Sequence, residues 1–283
     1  MPPRPLSLTL APDAPIDLQL HTTSSDGNWS AEQLLDHVAA EGFALVAVTD
    51  HDRLDTVAAV QRLGARKGVP VLAAAELSAA WEGQLLDLLC YGFDPQQNAL
   101  IALAEVTRQA QAENIRETYA ALQRRDYRFP EAREVLTAGD GTPRHFGDLV
   151  ALLRRHGYTA EMRAALHEAG FRWVTADPAA VVGAAHRSGA VCLIAHPGRG
   201  DGFARFDAPQ LDRLRAAVPV DGLEVYHPSH TPEQATLFLN YAREHALFTS
   251  TGSDSHGPPG PLPIKYRAET SRRLLEHVGI RVR

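Results

Sequence analysis

Short apolar runs alternate with segments of helical periodicity along most of the chain. The runs are rich in Val, Ile and Leu and have the length of buried strands, whereas the segments between them repeat their apolar positions with a helical period. This alternation is typical of βα units around a mostly parallel sheet or barrel, so we expect an α/β fold. Strands are predicted at 16–20, 43–49, 69–75, 85–93, 190–195, 222–226 and 246–252.

Capping residues mark the helix boundaries between these strands. Ser30, followed three positions later by Gln33, has the signature of a capping box. Gly68 ends the next predicted helix. Asp177 begins a later helix, and Thr231 begins the helix before the last predicted strand. The sequence therefore predicts where most of the βα units begin and end.

The strand pattern stops between residues 95 and 177, where only helical periodicity remains. We expect an inserted helical domain over 95–177, and a barrel formed by 16–94 and 178–283. Residues 1–15 lack the charged region and apolar stretch of a signal peptide, so we expect a leader without a targeting role.

Composition excludes several classes of protein. The 283 residues are 45% hydrophobic and 22% charged, and no run reaches the roughly 18 apolar residues that a membrane span requires. A net charge of −6 argues against a broad surface for nucleic acid. Cys90 and Cys192 lie in apolar runs and are expected to be buried free thiols, which suits a cytoplasmic protein.

Histidine and acidic residues recur just after the predicted strands. Loops converge at the carboxyl ends of parallel strands, so residues far apart in sequence meet there. One such residue is more often a cap or a turn residue, but six strand ends together favour a Zn, Mn or Fe site bridged by a carboxylate. The candidates are His21, Asp26, Asp50, His51, Asp52, Glu76, His196, His227, Asp254 and His256.

Six short segments together resemble the PHP (polymerase and histidinol phosphatase) family of metal-dependent phosphoesterases. The likeness spans roughly residues 16 to 260 and is most similar to the branch with an inserted helical domain, which includes 3′,5′-bisphosphate nucleotide phosphatases and enzymes that trim 5′ nucleotides from short RNA. The segments are DLQLHTTSSDG (17–27), VTDHD (48–52), AAAELSA (73–79), LIAHPG (193–198), LEVYHPSHT (223–231) and GSDSH (252–256).

The resemblance implies a distorted (β/α)7 PHP barrel that holds two or three divalent metal ions of Mn, Zn, Fe or Mg. It also implies the residues of each metal site. The first would use His21, Glu76 and Asp254, the second Asp26, His51 and His196, and the third Glu76 again with His256.

Two positions depart from the family pattern. Gln19 stands where the family has the first His of a His-x-His pair, and its amide is a weaker ligand for a transition metal than imidazole. Asp87 stands where the family has a His in a later strand, and its charge favours a harder ion such as Mn or Mg. Both remain candidate metal-site residues.

The resemblance implies hydrolysis of a phosphate ester. His227 or His256 is the candidate acid for the leaving group. The segment TPRHFGDLV (142–150) resembles an Arg-Pro-His segment of the family's insertion, although Pro143 precedes the arginine here. The candidates for contact with phosphate or nucleotide are Arg144, His145, Arg199 and His230.

Three functions stay open at this point. The inserted domain favours a nucleotide substrate, either a 3′,5′-bisphosphate or the 5′ end of a short RNA, because a base needs additional surface. A phosphatase for a small metabolite such as histidinol phosphate is the alternative within the same class. A degenerate PHP module that binds metal without turnover is the alternative from another class. We expect no membrane association and no stable protein partner.

Overall fold

The computed structural model describes residues 8–130, 137 and 141–283. The first seven residues of the expected leader lie outside this range. The chain divides into two compact units: the described residues up to Ala104 together with Ala176–Arg283 form the first, and Glu105–Thr175 forms the second. No helix of the described part is both long enough and apolar enough to cross a membrane.

The elements are numbered in chain order. The strands are β1 (Thr9–Leu10), β2 (Pro15–Leu20), β3 (Leu45–Val48), β4 (Val71–Leu72), β5 (Ala74–Trp81), β6 (Gln84–Tyr91), β7 (Val191–Ile194), β8 (Gly222–Tyr226), β9 (Phe248–Thr251), β10 (Tyr266–Arg267) and β11 (Arg281–Val282). The helices are α1 (Ala31–Ala40), α2 (Val57–Lys67), α3 (Leu100–Arg124), α4 (Phe146–Arg155), α5 (Met162–Glu168), α6 (Pro178–Arg187), α7 (Ala208–Ala217), α8 (Pro232–Glu244) and α9 (Arg272–His277).

The first unit contains two main sheets. One has the strand order β10-β2-β3-β4, in which β2, β3 and β4 run parallel and β10 is antiparallel at the edge. The other has the order β5-β6-β7-β8-β9, in which β6 is antiparallel to both of its neighbours and β7, β8 and β9 run parallel. The α/β class is confirmed, with more antiparallel pairing than the sequence pattern predicts.

The strands of the described part do not close into one continuous barrel ladder. The two sheets meet at isolated bridges, Leu20 with Ser255 and His51 with Glu76. Beside these bridges the backbone N–H of His21 donates to the Ser255 carbonyl at 3.0 Å. At the other bridge the backbone N–H of Glu76 donates to the Thr49 carbonyl at 3.2 Å, and the Glu76 carbonyl accepts the N–H of Asp52 at 2.8 Å. A few backbone hydrogen bonds of this kind link one sheet to the other there.

Local sequence explains the boundaries of the helices. Ser30 and Gln33 form both hydrogen bonds of the predicted capping box at the start of α1. Gly68 ends α2 in the left-handed conformation, at φ 75°. Asp177 and Thr231 cap α6 and α8 by accepting backbone N–H bonds three residues on. These predictions from sequence are confirmed.

Several short elements are not predicted by the hydrophobic pattern. Residues 9 and 10, within the expected leader, form β1 and pair in parallel with β11 at the other end of the chain. The run predicted at 69–75 divides into β4 and β5 at Ala73. Helix α7 begins at Ala208, and Asp207 before it forms a capping box with Gln210. Strands of two residues are too short to produce a periodic signal.

The second unit is helical and has its own core. Leu122 from α3 packs with Leu149 and Leu153 from α4 and with Leu166 from α5. Partly buried aromatic rings cover this core, among them Phe146, which stacks on another phenylalanine ring at 4.4 Å between centroids. Apolar residues at helical spacing therefore build a separate small core here.

Gly222 allows close packing of β8 between its neighbours, and we predict that Gly222→Ala destabilises the protein. A Cβ at this position would lie 2.4 Å from the Phe248 carbonyl oxygen and 2.8 Å from Cγ of Leu193. Overpacking of this kind costs about 1–3 kcal/mol, to be measured by urea unfolding. Gly183→Ala in α6 is the control, since its nearest neighbour is a flexible arginine end and the change should stabilise by about 0.5–1 kcal/mol. Equal stability of Gly222→Ala and the unsubstituted protein would contradict the packing.

Candidate metal centre

Glu76 lies at the centre of the predicted site and is fully buried in β5. Its Oε2 lies 3.1 Å from Nε2 of His21, and its Oε1 lies 3.2 Å from Nε2 of His196. Nε2 of Gln19 lies 3.1 Å from both oxygens. Nitrogen atoms from the ends of β2 and β7 therefore face one carboxylate.

A first group of donor atoms combines His21, Glu76 and Asp254. Nε2 of His21 lies 3.1 Å from Oδ1 of Asp254 as well as 3.1 Å from Glu76. His21 directly follows β2, and Asp254 follows β9 on the other sheet. The structure thus brings together the three residues that the resemblance implies for the first site.

A second group combines His51, Glu76 and Asp87. Nε2 of His51 lies 3.9 Å from Oε2 of Glu76. Asp87, in β6, also lies 3.8 Å from Nε2 of His196. Asp87 therefore faces the centre at the position where it replaces the family's histidine, and it adds a carboxylate to that side.

A third group combines His21, Asp26, His51 and His256. Nε2 of His256 lies 3.0 Å from Oδ2 of Asp26. The ring of His21 stacks against both other imidazoles, at 4.8 Å from His51 and 4.4 Å from His256. Three imidazoles and one carboxylate therefore meet on the more open side of the centre.

His196 is arranged differently from the set that the resemblance implies. That set joins it to Asp26 and His51, but in the described residues those two group with His21 and His256 instead. Nε2 of His196 lies 3.2 Å from Oε1 of Glu76 and 3.8 Å from Oδ2 of Asp87.

The charges at this centre are strongly coupled. Burial by itself would raise the pKa of Glu76, but the imidazoles of His51, His196 and His21 outweigh it and hold the pKa well below its usual range. Burial and the neighbouring charge of Glu76 raise the pKa of Asp87 to about 7. Burial lowers the pKa of His51, but Glu76 and Asp26 outweigh this and raise it to about 9.

The donor set fits divalent cations. Nε2 of His21, of His196 and of His227 are buried and have no hydrogen-bond partner among the described residues. Carboxylate oxygens nevertheless lie 3.1, 3.2 and 3.7 Å from these atoms. Buried nitrogen and oxygen atoms that lie this close together without aligned hydrogen bonds would be satisfied by binding the same cation. The residues present therefore fit divalent metal binding.

Asp50 holds the loop that carries the first ligands. Its carboxylate accepts hydrogen bonds from the backbone N–H and the hydroxyl of Thr22, both at 2.7 Å, and from the hydroxyl of Ser25 at 2.7 Å. These contacts lie between His21 and Asp26 in sequence. Asp50 follows a predicted strand, as the candidate ligands do. Its oxygens accept hydrogen bonds that support the loop between His21 and Asp26.

Left-handed backbone recurs at the strand ends of the site. Asp52, His196 and Asp254 have φ of 53°, 30° and 53°, which non-glycine residues seldom adopt. Each backbone N–H has an acceptor nearby. For His196 the acceptor is Oε2 of Glu224, at 2.9 Å. The surrounding hydrogen bonds stabilise these conformations, which turn the side chains towards the centre.

Arg199 and His227 lie next to Asp254. Nη1 of Arg199 lies 3.3 Å from Oδ2 of Asp254, and its guanidinium lies 4.3 Å from the centre of the Phe203 ring. Nε2 of His227 lies 3.7 Å from the same oxygen. Burial lowers the pKa of His227. A cation and a neutral imidazole thus border the first group of donor atoms.

His230 has a different environment from the one expected of a phosphate ligand. Its Nδ1 lies 2.9 Å from the Val225 carbonyl, and its Nε2 accepts the backbone N–H of Gly198 at 3.0 Å. Burial lowers its pKa to about 4. Because both ring nitrogens are engaged, His230 supports the loop that carries Arg199 and offers no free nitrogen to a phosphate.

Arg144 and His145 belong to the second unit. The side chain of His145 caps α4 by accepting the backbone N–H of Asp148 at 3.3 Å. Nε of Arg144 lies 3.2 Å from Oδ2 of Asp148. Both residues therefore lie at the start of α4, where the guanidinium is about half exposed.

Sequence reasoning did not assign a role to Glu224 or Asp17. Glu224 is fully buried in β8, and burial raises its pKa well above the usual range. Asp17 is fully buried in β2 and accepts the backbone N–H groups of Ser253 and Ile264, both at 3.0 Å. An acidic residue inside an otherwise apolar strand is the signal that could have indicated both.

Solved structures share this fold. A chain from Bifidobacterium adolescentis described as a metal-dependent phosphoesterase aligns with a TM-score of 0.78 and 23% identity, over 97% of this chain and 98% of that one. A two-domain protein of Bacteroides vulgatus containing a PHP-like metal-dependent phosphoesterase aligns with a TM-score of 0.50 and 12% identity, over 91% of this chain and 55% of that one. No family model matches the chain.

Sequence comparison decides the family. A 3′,5′-nucleoside bisphosphate phosphatase of Chromobacterium violaceum is 30% identical over 264 residues, which cover 87% of this chain and 88% of that protein. The chain belongs to the PHP family of metal-dependent phosphoesterases. It is therefore placed among hydrolases of phosphate ester bonds.

Other relatives have names that describe different reactions. A phosphoribosyl 1,2-cyclic phosphate 1,2-diphosphodiesterase of Eggerthella lenta is 28% identical over 280 residues, covering 94% of this chain and 98% of that protein. The 5′-3′ exoribonuclease Rnm of Salmonella typhimurium is 28% identical over 260 residues, covering 86% of this chain and 85% of that protein.

We predict a pH-dependent loss of stability that depends on His230. Its pKa is about 4 in the folded protein against 6.5 in the unfolded chain. Between these values the unfolded chain binds a proton that the folded protein does not. The free energy of unfolding should therefore fall as pH falls below 6.5, by at most about 1.4 kcal/mol per pH unit from this group.

The measurement is urea unfolding of metal-free protein at several pH values. The stability difference between the unsubstituted protein and His230→Gln should shrink as pH falls, because only the former loses this contribution. Phe238→Leu is the control, since it removes the ring next to His230 without removing a titratable group, and its deficit should stay constant. A His230→Gln deficit that is equally large at every pH would contradict the assignment.

Proposed function

We propose that this PHP protein hydrolyses phosphate esters of nucleotides, either a nucleoside 3′,5′-bisphosphate or the 5′ end of a short RNA. The observation that carries the proposal is the sharing of Glu76 between two groups of donor atoms, one with His21 and Asp254 and one with His51 and Asp87. A carboxylate common to two groups is what a phosphoesterase with neighbouring cations needs.

Two or three divalent ions, of Mn, Zn, Fe or Mg, would be held there. When bound, such ions supply a nucleophile from water and offset the charge of the phosphate. The extra carboxylate of Asp87 and the missing imidazole at Gln19 favour a harder ion such as Mn or Mg. The ligands would be His21, Asp26, His51, Glu76, Asp87, His196, Asp254 and His256.

Residues around the ligands would bind and protonate the substrate. Arg199 is oriented by Asp254 and Phe203, so its guanidinium can contact a phosphate oxygen beside the first group. Burial lowers the pKa of His227, so near neutral pH its imidazole is mostly unprotonated and seldom has a proton to donate to the leaving group. His256 is the remaining candidate for the acid, in a site in which its Nε2 does not bind a cation.

The names of the relatives support a nucleotide substrate. Two of the three relatives described above are named for action on nucleotides or RNA, namely the bisphosphate phosphatase and the exoribonuclease. The inserted helical domain adds surface for a base, and Arg144 with His145 at the start of α4 are the candidates for a second phosphate. We also propose that the two sheets of the first unit correspond to the distorted (β/α)7 barrel of the family.

The test is product release by metal-free protein reconstituted with Mn²⁺. Three substrates separate the possibilities: adenosine 3′,5′-bisphosphate, a 5′-phosphorylated oligoribonucleotide and histidinol phosphate. We predict release of phosphate or nucleotide from one of the first two, and a loss of at least about 100-fold in kcat/KM in His51→Ala, since a metal ligand is removed.

Two controls accompany this assay. Asp55→Ala, an exposed residue near His51 in sequence, should retain activity, which excludes a contaminating phosphatase when the His51 variant is inactive. Preference for histidinol phosphate would replace the nucleotide proposal with a small-metabolite phosphatase. No turnover of any substrate, with Mn²⁺ shown to be bound, would favour a module that binds metal without catalysis.

A further inference from the structure

Gln19 is the residue that departs most clearly from a set of metal ligands, and its position is tightly defined. It lies in β2, is fully buried, and its backbone carbonyl accepts the N–H of Asp254 at 3.1 Å. Gly252 packs directly against it, since a Cβ there would lie 2.4 Å from Cβ of Gln19. The backbone at Gly252 therefore lies close against the start of the Gln19 side chain.

The amide of Gln19 presents hydrogen-bond donors to Glu76. Nε2 lies 3.1 Å from Oε1 and 3.1 Å from Oε2, so the amide nitrogen is placed symmetrically between the two oxygens. An amide nitrogen has donors and no available lone pair, whereas an amide oxygen in this place would repel the carboxylate. Gln19 therefore approaches Glu76 as a donor through Nε2, while its Oε1 is buried and has no hydrogen-bond partner among the described residues.

The effect of this contact falls on the shared carboxylate. With the amide between its oxygens, Oε2 is directed to His21 and Oε1 to His196. Loss of the donor would let the carboxylate rotate, because the other nitrogen neighbours make no aligned hydrogen bond to it. A rotated carboxylate would favour one group of donor atoms at the expense of the other.

We propose that Gln19 is a positioning residue, whose Nε2 orients Glu76 for two neighbouring cations. The proposal rests on the proposed function in one respect, that Glu76 is shared between cations. The proposal gives Gln19 a role at the position where the resemblance implies an imidazole ligand: its amide donates to the Glu76 carboxylate.

The first experiment measures the coupling between the two side chains in metal-free protein. A double-mutant cycle of Gln19→Met and Glu76→Gln is followed by urea unfolding. A donor–acceptor contact between them should appear as a coupling of about ten-fold in the equilibrium constant for unfolding, since hydrogen bonds to charged groups have this strength. Additive effects of the two substitutions would overturn the proposal.

The second experiment measures Mn²⁺ binding by calorimetry and does not depend on the cycle variants folding well. Gln19→Met keeps the volume and removes the donors, so we expect Mn²⁺ affinity to weaken about ten-fold. Leu18→Met is the matched control, because it changes a buried residue of the same strand without touching Glu76, and its Mn²⁺ affinity should be unchanged. Equal Mn²⁺ affinities of Gln19→Met and the unsubstituted protein would overturn the proposal.

Failure of this proposal and failure of the proposed function have different signatures. Neither measurement uses a substrate, so inactivity towards every nucleotide leaves both results interpretable. Coupling with weakened Mn²⁺ binding would support the positioning role even in a protein that turns over no nucleotide. Hydrolysis of nucleotides with additive effects in the cycle would overturn only the role of Gln19.

Discussion

The Glu76 carboxylate is fully buried, and the rest of the site is arranged around the cost of placing a charge there. An isolated carboxylate in the interior would become protonated. The imidazoles of His21, His51 and His196 prevent this, and hold the pKa of Glu76 well below its usual range. Because these three histidines follow three different strands, the charge on Glu76 ties the meeting edges of the two sheets to one point.

The same constraint explains the unusual backbone at the strand ends. His196 and Asp254 follow strand ends and adopt left-handed backbone conformations. These conformations turn their side chains towards the centre. The backbone N–H of His196 is held by Glu224, which lies below the ligands, and that of Asp254 is held by the carbonyl of Gln19. Glu224 and Gln19 therefore hold the backbone of two residues whose side chains face the centre.

Sequence reasoning predicts the α/β class, most strands and helix caps, and the list of side chains that meet. These follow from periodicity and from the rule that loops converge at strand ends. It does not predict how they pair. The resemblance joins His196 to Asp26 and His51, whereas in the structure its Nε2 lies 3.2 Å from Glu76 and 3.8 Å from Asp87, distances that a sequence does not fix. Two-residue strands such as β1 and β11 are not predicted, because they are too short to produce a periodic signal.

Gln19 and Asp87 are better understood together than separately. Each replaces an imidazole of the family pattern, and each now lies beside Glu76. Gln19 directs the donors of its amide nitrogen to the shared carboxylate, whereas Asp87 adds an acceptor on the His196 side. Burial and repulsion from Glu76 raise the pKa of Asp87 to about 7, a cost that a cation between the two carboxylates removes. The exchange therefore increases the dependence of the site on a bound cation and makes its donor set richer in oxygen, which we expect to favour harder ions.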